Sequence, residues 1–185
     1  MGATYKLVFA GPVGSGKTTA IQSLSDIDVL STEASASDAV RLLKKSTTVA
    51  MDYGVLKLDN GTRVHLYGTP GQHRFDFMWD ILTEDAIGLV MMLRATAPDP
   101  VADLKAYIEG FHDFIKKTAM VVGITHAAEG GWEVRQVVSQ ALLDMGLQAC
   151  VMDADARERS HVANLVKALI YSVDPTLDAL DTAAG

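Results

Sequence analysis

Strand and helix patterns alternate along most of this chain. Apolar runs such as "AIGLVMML" (86–93) and "TAMVVGI" (118–124) are typical of strands that are buried on both faces. Helical periodicity follows most of the strands, as in 101–116, where apolar residues recur every three or four positions. Because right-handed crossovers place helices on both faces of a parallel sheet, this order predicts a three-layer α/β fold.

The second and third predicted strands are an exception to the parallel arrangement. They are joined by Asp59-Asn60-Gly61, which favours an antiparallel hairpin, so we expect a six-stranded mixed sheet that is mostly parallel. Residues 25–48 are polar and rich in Ser and Thr, with at best a short helix at 38–44, and long connections of this kind are often functional. The predicted strands are 4–10, 49–58, 62–67, 86–93, 118–124 and 147–152, and the predicted helices are 17–24, roughly 74–83, 101–116, 132–145 and 158–172.

The composition predicts a single acidic domain over residues 1–185, with a tail at 174–185 that we expect to fray. With 16 basic and 23 acidic residues the formal net charge is −7, so no general field attracts nucleic acid. No apolar run approaches the ~20 residues of a transmembrane helix. No export signal precedes the first strand, which predicts a cytoplasmic protein. We expect Cys150 and Trp132 to be buried or packing residues.

A glycine-rich turn, "GPVGSGKT", connects the first strand to the first helix. The spacing of Gly11, Gly16, Lys17 and Thr18 is the GxxxxGK[ST] pattern, in which backbone N–H groups and a helix N-terminus surround an anion. The lysine of such a loop reaches the β- and γ-phosphates, and the hydroxyl residue binds Mg²⁺. A simple glycine turn with an exposed lysine is the alternative, but the flanking strand and helix favour a nucleoside triphosphate site. The predicted contact residues are Gly14, Ser15, Gly16, Lys17, Thr18 and Thr19.

Two further segments stand at the ends of neighbouring strands. "STTVAMDYG" (46–54) enters the second strand, and "LYGTPGQHRF" (66–75) follows the third. Together with the glycine-rich loop, they resemble the switch I and switch II segments of Ras-like small GTPases. "TTVAMDYG", "GTPGQHRFDFMWD" and the late "DADARERS" more closely resemble bacterial small GTPases of the MglA-like and conservon-associated type. The resemblance spans nearly the whole chain and implies a P-loop NTPase with the Ras-like fold.

The resemblance implies roles for residues of both switch segments. Thr48 matches the threonine that, with Thr18, coordinates Mg²⁺ when the γ-phosphate is present. Gly71 matches the glycine whose N–H senses the γ-phosphate, and Gln72 matches the glutamine that orients the attacking water. The implied catalytic group is therefore Lys17, Thr48 and Gln72. Taken singly, Thr48 is also typical of a strand entrance and "TPG" of an ordinary turn, but their joint placement favours the switch interpretation.

An apolar stripe follows switch II. Phe75, Met78 and Trp79 have helical spacing, which by default indicates a core-facing stripe. In the resembled family such residues also form part of a partner-binding face. The partner that the resemblance implies is a roadblock-type regulatory protein or a sensor-kinase assembly.

The resemblance fails at the metal-shell aspartate of Ras-like proteins. The matching position, four residues before Gln72, is Gly68. Mg²⁺ would then rely on Thr18, Thr48, water and the phosphates, since the ion requires octahedral oxygen ligands. Asp52 in the second strand is a candidate for the missing carboxylate, and a polar strand residue that faces solvent is the simpler alternative. MglA-like proteins also lack the aspartate, so the gap is in keeping with the bacterial group.

Val13 stands where Ras-like loops usually carry glycine. A branched side chain there crowds the approach of an arginine finger, which supplies roughly 10³–10⁵ in rate. We therefore expect slow unaided hydrolysis, with a partner that reorganises residues already present, such as Gln72 or Arg74. An exposed residue at a helix start is the alternative role for Arg74.

The base-recognition motif is also incomplete. "THAA" (125–128) replaces the [NT]KxD motif of Ras-like proteins and lacks both its lysine and its aspartate. Losing a paired buried carboxylate costs ~2–5 kcal/mol of discrimination, so a guanine preference does not follow from these residues. Asp155 lies in a second loop that contacts the base in the family, where an N-cap role is the alternative, and Asp153 is a further candidate. The predicted base-side contacts are Thr125, His126, Asp155, Ala156 and Arg157.

Three functions follow as hypotheses from these features. The leading one is a molecular switch that binds GTP or GDP with Mg²⁺, with ATP as the alternative nucleotide. The second is a P-loop kinase for a small acceptor, which needs a lid of clustered arginines, and only Arg157 and Arg159 lie close together near the last strand. The third is a nucleotide-dependent scaffold without turnover, which the absent metal-shell aspartate and Val13 favour.

Overall fold

The computed structural model describes residues 3–31, 51–71, 79–128 and 131–173. They form an α/β fold around a seven-stranded mixed sheet whose spatial order is β2-β3-β4-β1-β5-β6-β7. The strands are β1 (Thr4–Ala10), β2 (Leu30–Ser31), β3 (Asp52–Lys57), β4 (Arg63–Gly68), β5 (Gly88–Arg94), β6 (Ala119–Thr125) and β7 (Cys150–Asp153). The described helices are α1 (Lys17–Leu24), α2 (Trp79–Thr83), α3 (Pro100–Gly110), α4 (His112–Ile115), α5 (Gly131–Asp144) and α6 (Arg159–Val173).

The pairing of the strands confirms the predicted α/β class and its mostly parallel sheet. β4, β1, β5, β6 and β7 run parallel to one another. The hairpin β3–β4 is antiparallel, as the turn at 59–61 predicts, and β2 is antiparallel to β3. The architecture is compatible with a Ras-like P-loop fold.

The sheet has one strand more than the six that we expected. β2 consists of two residues, Leu30 and Ser31, which pair with Tyr53 and Asp52 at the edge of the sheet. Two residues are too few to show periodicity, so this strand has no sequence signal of its own. The short helix considered at 38–44 lies outside the described residues.

The predicted helix 101–116 is two helices. It is interrupted at Phe111, whose backbone has φ −101° and ψ 15°. The Phe111 ring is nonetheless buried, so the apolar periodicity of the segment continues through the break. The sequence pattern therefore does not reveal the interruption. The helix predicted at roughly 74–83 is described only from Trp79 onward.

Alternate side chains of β1 enter two different cores. Leu7 and Phe9 pack with α1 and α6, whereas Val8 and Ala10 pack with α2, α3 and α5 on the opposite face. All four side chains are fully buried. This two-residue period is the geometry of a strand, and burial on both faces explains why β1 is a continuous apolar run.

Two residues that we expected to be packed lie at the surface. Cys150 is exposed because β7 is an edge strand that pairs with β6 on one side only. Trp132 is 54% exposed on the first turn of α5. In contrast, Trp79 is buried and stacks on Phe111 with ring centroids 4.3 Å apart, which confirms the core-facing interpretation for that residue.

The parallel strands end at the same edge of the sheet. The turns after β1, β5, β6 and β7 therefore lie next to one another at their carboxyl ends, where ligands bind in open α/β sheets. Within the described ranges, no helix is both long and apolar enough to cross a bilayer.

The contact between α2 and α3 generates a stability prediction. A Cβ atom on Gly110 would lie 2.0 Å from Cζ3 of Trp79, so Gly110→Ala must displace a buried ring. We expect a loss of about 1–3 kcal/mol in the free energy of unfolding, measured by urea denaturation. In a Trp79→Leu background the same alanine should cost much less, because the clashing ring is gone. An equal cost in both backgrounds would contradict this explanation.

Candidate functional site

The glycine-rich loop over residues 11–18, called the phosphate loop below after its sequence motif, packs closely against the ends of neighbouring strands. Gly11 has φ 145°, and a Cβ atom there would lie 2.1 Å from the carbonyl oxygen of Met92. Gly16 has φ 92°, and its Cβ position is 3.0 Å from Cβ of Ala156. Gly11 is therefore required by conformation and by space, and Gly16 is favoured by its positive φ at a position with little room for a side chain. The second contact brings the predicted loop residue Ala156 against the start of α1.

The side chain of Lys17 folds across this loop. Lys17 is only 7% exposed, and its Nζ donates hydrogen bonds to the carbonyl oxygens of Gly11 (2.7 Å) and Pro12 (2.8 Å). The first turn of α1 contains no acidic residue that would offset the positive end of the helix. A buried ammonium group and a helix N-terminus thus create a positive field in the loop, which suits an anion such as a polyphosphate.

A carboxylate lies beside the hydroxyl of Thr18. Thr18 Oγ1 donates a hydrogen bond to Oδ2 of Asp52, and Asp52 is 7% exposed. The alternative that Asp52 faces solvent is therefore wrong. Asp52 pairs with Gly68 across the β3–β4 ladder, and a Cβ atom on Gly68 would lie 3.2 Å from the same Oδ2. The carboxylate of Asp52 thus borders the space that a side chain at position 68 would enter.

The segment after β4 also reaches the loop. A Cβ atom on Gly71 would lie 2.6 Å from the backbone nitrogen of Val13, and Tyr107 Oη donates a 3.2 Å hydrogen bond to the carbonyl of Gly71. Thr69 is 3% exposed, and its Oγ1 has no hydrogen-bond partner in the part of the chain that the structure describes. Thr48, Gln72 and Arg74 lie outside the described residues, so their predicted roles stay predictions.

The residues present have the chemistry that Mg²⁺ needs. The Thr18 hydroxyl and the Asp52 carboxylate are oxygen groups that lie together at the end of the loop, and the hydroxyl of Thr69, the residue after β4, has no partner among the described residues. Mg²⁺ prefers oxygen ligands and usually retains several waters, which such groups can hold. The set therefore suits a magnesium ion that also binds phosphate.

The turn after β6 is tied to the phosphate loop. Thr125 is 2% exposed, and its Oγ1 lies 3.0 Å from the carbonyl oxygen of Ser15 and 3.2 Å from that of Leu93. His126 adopts φ 56°, and its Nδ1 lies 3.1 Å from Oγ1 of Thr125. The structure thus brings Thr125 and His126 to the site. The described residues of this turn, 125–128, provide no carboxylate for a base.

The turn after β7 holds a local ion pair. Arg157 Nη2 donates a 2.6 Å hydrogen bond to Oδ2 of Asp155, and the Arg157 backbone N–H donates to Oδ1. The Arg157 hydrogen bonds hold the pKa of the Asp155 carboxyl well below its usual range, so it is ionised at neutral pH. Because α6 begins at Arg159, the N-cap interpretation of Asp155 is wrong. Asp153 is paired at 2.8 Å with Arg135 of α5, so its carboxylate is not part of the Asp155–Arg157 pair.

Comparison with known proteins extends along most of the chain. No protein-family model matches it. The chain is 24% identical to the intraflagellar transport protein 22 homolog of Rattus norvegicus over 177 residues, which cover 94% of each chain. It is 24% identical to intraflagellar transport protein 22 of Chlamydomonas reinhardtii over 131 residues, covering 68% of this chain and 64% of that protein.

A third relative matches a shorter region. The uncharacterized protein MJ1339 of Methanocaldococcus jannaschii is 32% identical over 91 residues, which cover 49% of this chain and 51% of that protein. The match therefore spans about half the length of this relative. None of the three names is that of a bacterial MglA-like protein, and the narrower assignment stays a prediction.

Some residues at the site were missed by sequence reasoning. Tyr107 has the spacing of a core residue, and only the fold shows that its hydroxyl reaches Gly71. Thr69 lies in "TPG", which the sequence assigns to a switch segment or to an ordinary turn, and only the fold shows that its hydroxyl is buried and unpartnered among the described residues. Arg94, whose Nη1 lies 3.5 Å from the Cβ position of Gly14 in the loop, directly follows an apolar run, and this abrupt change from apolar to charged is its one sequence signal.

The hydroxyl of Thr125 generates a second prediction. Thr125→Val keeps the shape of the side chain but removes the donor that joins β6 to the phosphate loop. We expect the free energy of unfolding to fall by about 1 kcal/mol in urea denaturation, the net value of one such bond. Thr125→Ser retains the hydroxyl and serves as the control. A valine variant as stable as the serine variant would show that the bond does not hold the loop.

Proposed function

We propose that this protein is a nucleotide-dependent molecular switch that binds GTP or GDP with Mg²⁺, hydrolyses GTP slowly and signals to a partner protein. One observation carries the proposal: the loop between β1 and α1 combines glycine-dependent close packing with a buried lysine and the positive end of a helix. The similarity along 94% of the chain to proteins named intraflagellar transport protein 22 supports a GTP-binding switch at this coarse level.

In this proposal the residues of the loop and its neighbouring segments have separate roles. Lys17 exchanges its bonds with Gly11 and Pro12 for bonds to the β- and γ-phosphates, and the α1 N-terminus holds the phosphate charge. Thr18 and Asp52, which lie in contact, would hold the magnesium shell, with Thr48 as the further ligand that the resemblance implies. Bound Mg²⁺ would neutralise charge that develops on the phosphates. Gln72 orients the attacking water, as the resemblance implies.

Gly71 is the proposed sensor of the γ-phosphate. Its backbone already lies against Val13 of the phosphate loop, and its carbonyl is held by Tyr107 of α3. A γ-phosphate bound by the loop would need part of the space that Gly71 occupies, and it would accept a hydrogen bond from the Gly71 N–H. Movement of this segment would be transmitted to α3 and to the stacked ring of Trp79. The proposed output is binding of a regulatory partner, of the roadblock type or within a sensor-kinase assembly.

The arrangement of arginines disfavours the kinase alternative. Arg157 is paired with Asp155, and Arg159 donates to the carbonyl of Leu24 at 2.7 Å and to Asp26 at 2.8 Å. Neither guanidinium is available as a lid over a phosphoryl acceptor. The scaffold alternative is favoured by Val13, which is 59% exposed at the mouth of the loop where a catalytic arginine would approach.

A binding and turnover experiment tests this function. We expect fluorescent GDP and GTP to bind in magnesium buffer, and Lys17→Met to weaken binding at least about tenfold, because charged hydrogen bonds contribute about 1.5–3 kcal/mol. Lys57→Met, at an exposed strand end, is the matched control. ATP competition measures base preference, and phosphate release is followed with and without a roadblock-type protein. Binding without release would favour the scaffold, and absence of binding to any nucleotide would contradict the proposal.

The proposed metal role of Asp52 has its own test. Asp52→Asn removes the charge but keeps the size of the side chain, so Mg²⁺ should slow GDP release about tenfold less than in the wild type. Release in EDTA should be the same for both proteins, because no metal is bound there. Asp59→Asn, in the exposed turn of the β3–β4 hairpin, provides the control. A wild-type magnesium response in the Asp52 variant would contradict the assignment.

A further inference from the structure

Arg94 lies at the carboxyl edge of the sheet, between the two loops of the candidate site. It is the last residue of β5, which runs between β1 and β6. Its register partner on β6 is Thr125, the residue tied to Ser15 of the phosphate loop. A cationic side chain is thus placed between the phosphate loop and the 125–128 turn.

The guanidinium group of Arg94 contacts the phosphate loop itself. Its Nη1 lies 3.5 Å, and its Cζ 3.9 Å, from the position that a Cβ atom would have on Gly14. Gly14 has φ 77°, so the backbone here favours glycine and leaves the α-carbon uncovered. The flat end of the arginine occupies this uncovered side of the loop.

No group of the described chain neutralises Arg94. Arg135, Arg157 and Arg159 each pair with an aspartate within 2.8 Å, whereas the side chain of Arg94 makes no hydrogen bond or ion pair with any described residue. Its Nε is buried and unpartnered. A buried donor on a charged group is costly to leave unpaired, so this nitrogen calls for a partner beyond the described residues, such as a bound ligand.

The order of the strands decides which part of a nucleotide Arg94 would meet. Gly71, the proposed γ-phosphate sensor, follows β4 on one side of β1, and the 125–128 turn follows β6 beyond β5 on the other side. A nucleotide bound along this edge therefore places its terminal phosphate toward β4 and its base toward β6. β5 lies on the base side of the phosphate loop.

We propose that Arg94 binds the nucleoside half of the ligand, donating to a ribose oxygen and packing its guanidinium plane against the purine. This inference rests on the proposed nucleotide-binding function and deepens it. A planar guanidinium can donate to oxygen and lie against an aromatic ring at the same time. The 125–128 turn has only an exposed histidine, so Arg94 is the permanent cation at this position. Because both purines present a ring face, the contact increases affinity without selecting guanine.

Binding of three ligands to Arg94→Met tests the assignment. GDP and GTP should each bind about tenfold more weakly than to the wild type, because the variant loses a charged hydrogen bond to the ribose. The two losses should be equal, because Arg94 is remote from the γ-phosphate. Inorganic tripolyphosphate, which has no ribose or base, should bind equally to both proteins. Arg94→Lys keeps the charge without the plane and should recover only part of the loss. Arg63→Met removes the same charge at the opposite edge of the sheet and is the matched control.

Several results would overturn this assignment. Unchanged GDP affinity in Arg94→Met would remove Arg94 from the site. An equal loss for tripolyphosphate would place its contact on the phosphates, and a loss for GTP alone would place it at the γ-phosphate. Failure of the wild-type protein to bind any nucleotide would overturn the proposed function as well, whereas the other outcomes leave that function intact.

Discussion

The close packing of the phosphate loop on its neighbouring strands determines the arrangement of the whole site. Gly11 lies against the carbonyl of Met92 at a distance that leaves no room for a side chain, and Gly16 lies tightly against Ala156. Thr125, at the end of β6, adds a hydrogen bond to the carbonyl oxygen of Ser15. The loop is thus held by the ends of β5, β6 and the turn after β7. Its shape depends on the register of the sheet as much as on its own glycines.

That register depends on burial of both faces of β1. Leu7 and Phe9 fill the core beneath α1 and α6, and Val8 and Ala10 fill the core beneath α3 and α5. Full burial of a leucine, valine or phenylalanine side chain contributes about 1.5–3 kcal/mol. A shift of β1 by one residue would exchange the two sets between faces that differ in shape, so the sheet strongly disfavours it. The position of Gly11 at the strand end follows from this.

The features that are encoded locally were accessible from the sequence. The phosphate loop has a backbone that only glycine adopts readily, and the central strands are apolar because both faces are covered, so both leave a clear pattern. Features that depend on neighbours were not accessible. Cys150 has an apolar context, yet it is exposed because, among the described strands, none pairs beyond β7. The two residues of β2 form a strand only because β3 offers an unpaired edge.

Asp52 and Arg94 show that the paired sheet can place a charged group close to a position where the linear motif lacks one. In each case the expected position lacks the charged group: Gly68 has no carboxylate, and the 125–128 turn has no lysine. In each case an adjacent strand provides a group of the required charge, through pairing of Asp52 with Gly68 and of Arg94 with Thr125. Cross-strand partners lie only about 5 Å apart, so a side chain can reach the same point in space from either strand. A ligand interacts with a charged group at that position whichever strand carries it. A residue absent from a linear motif should therefore also be sought at the paired position of the neighbouring strand.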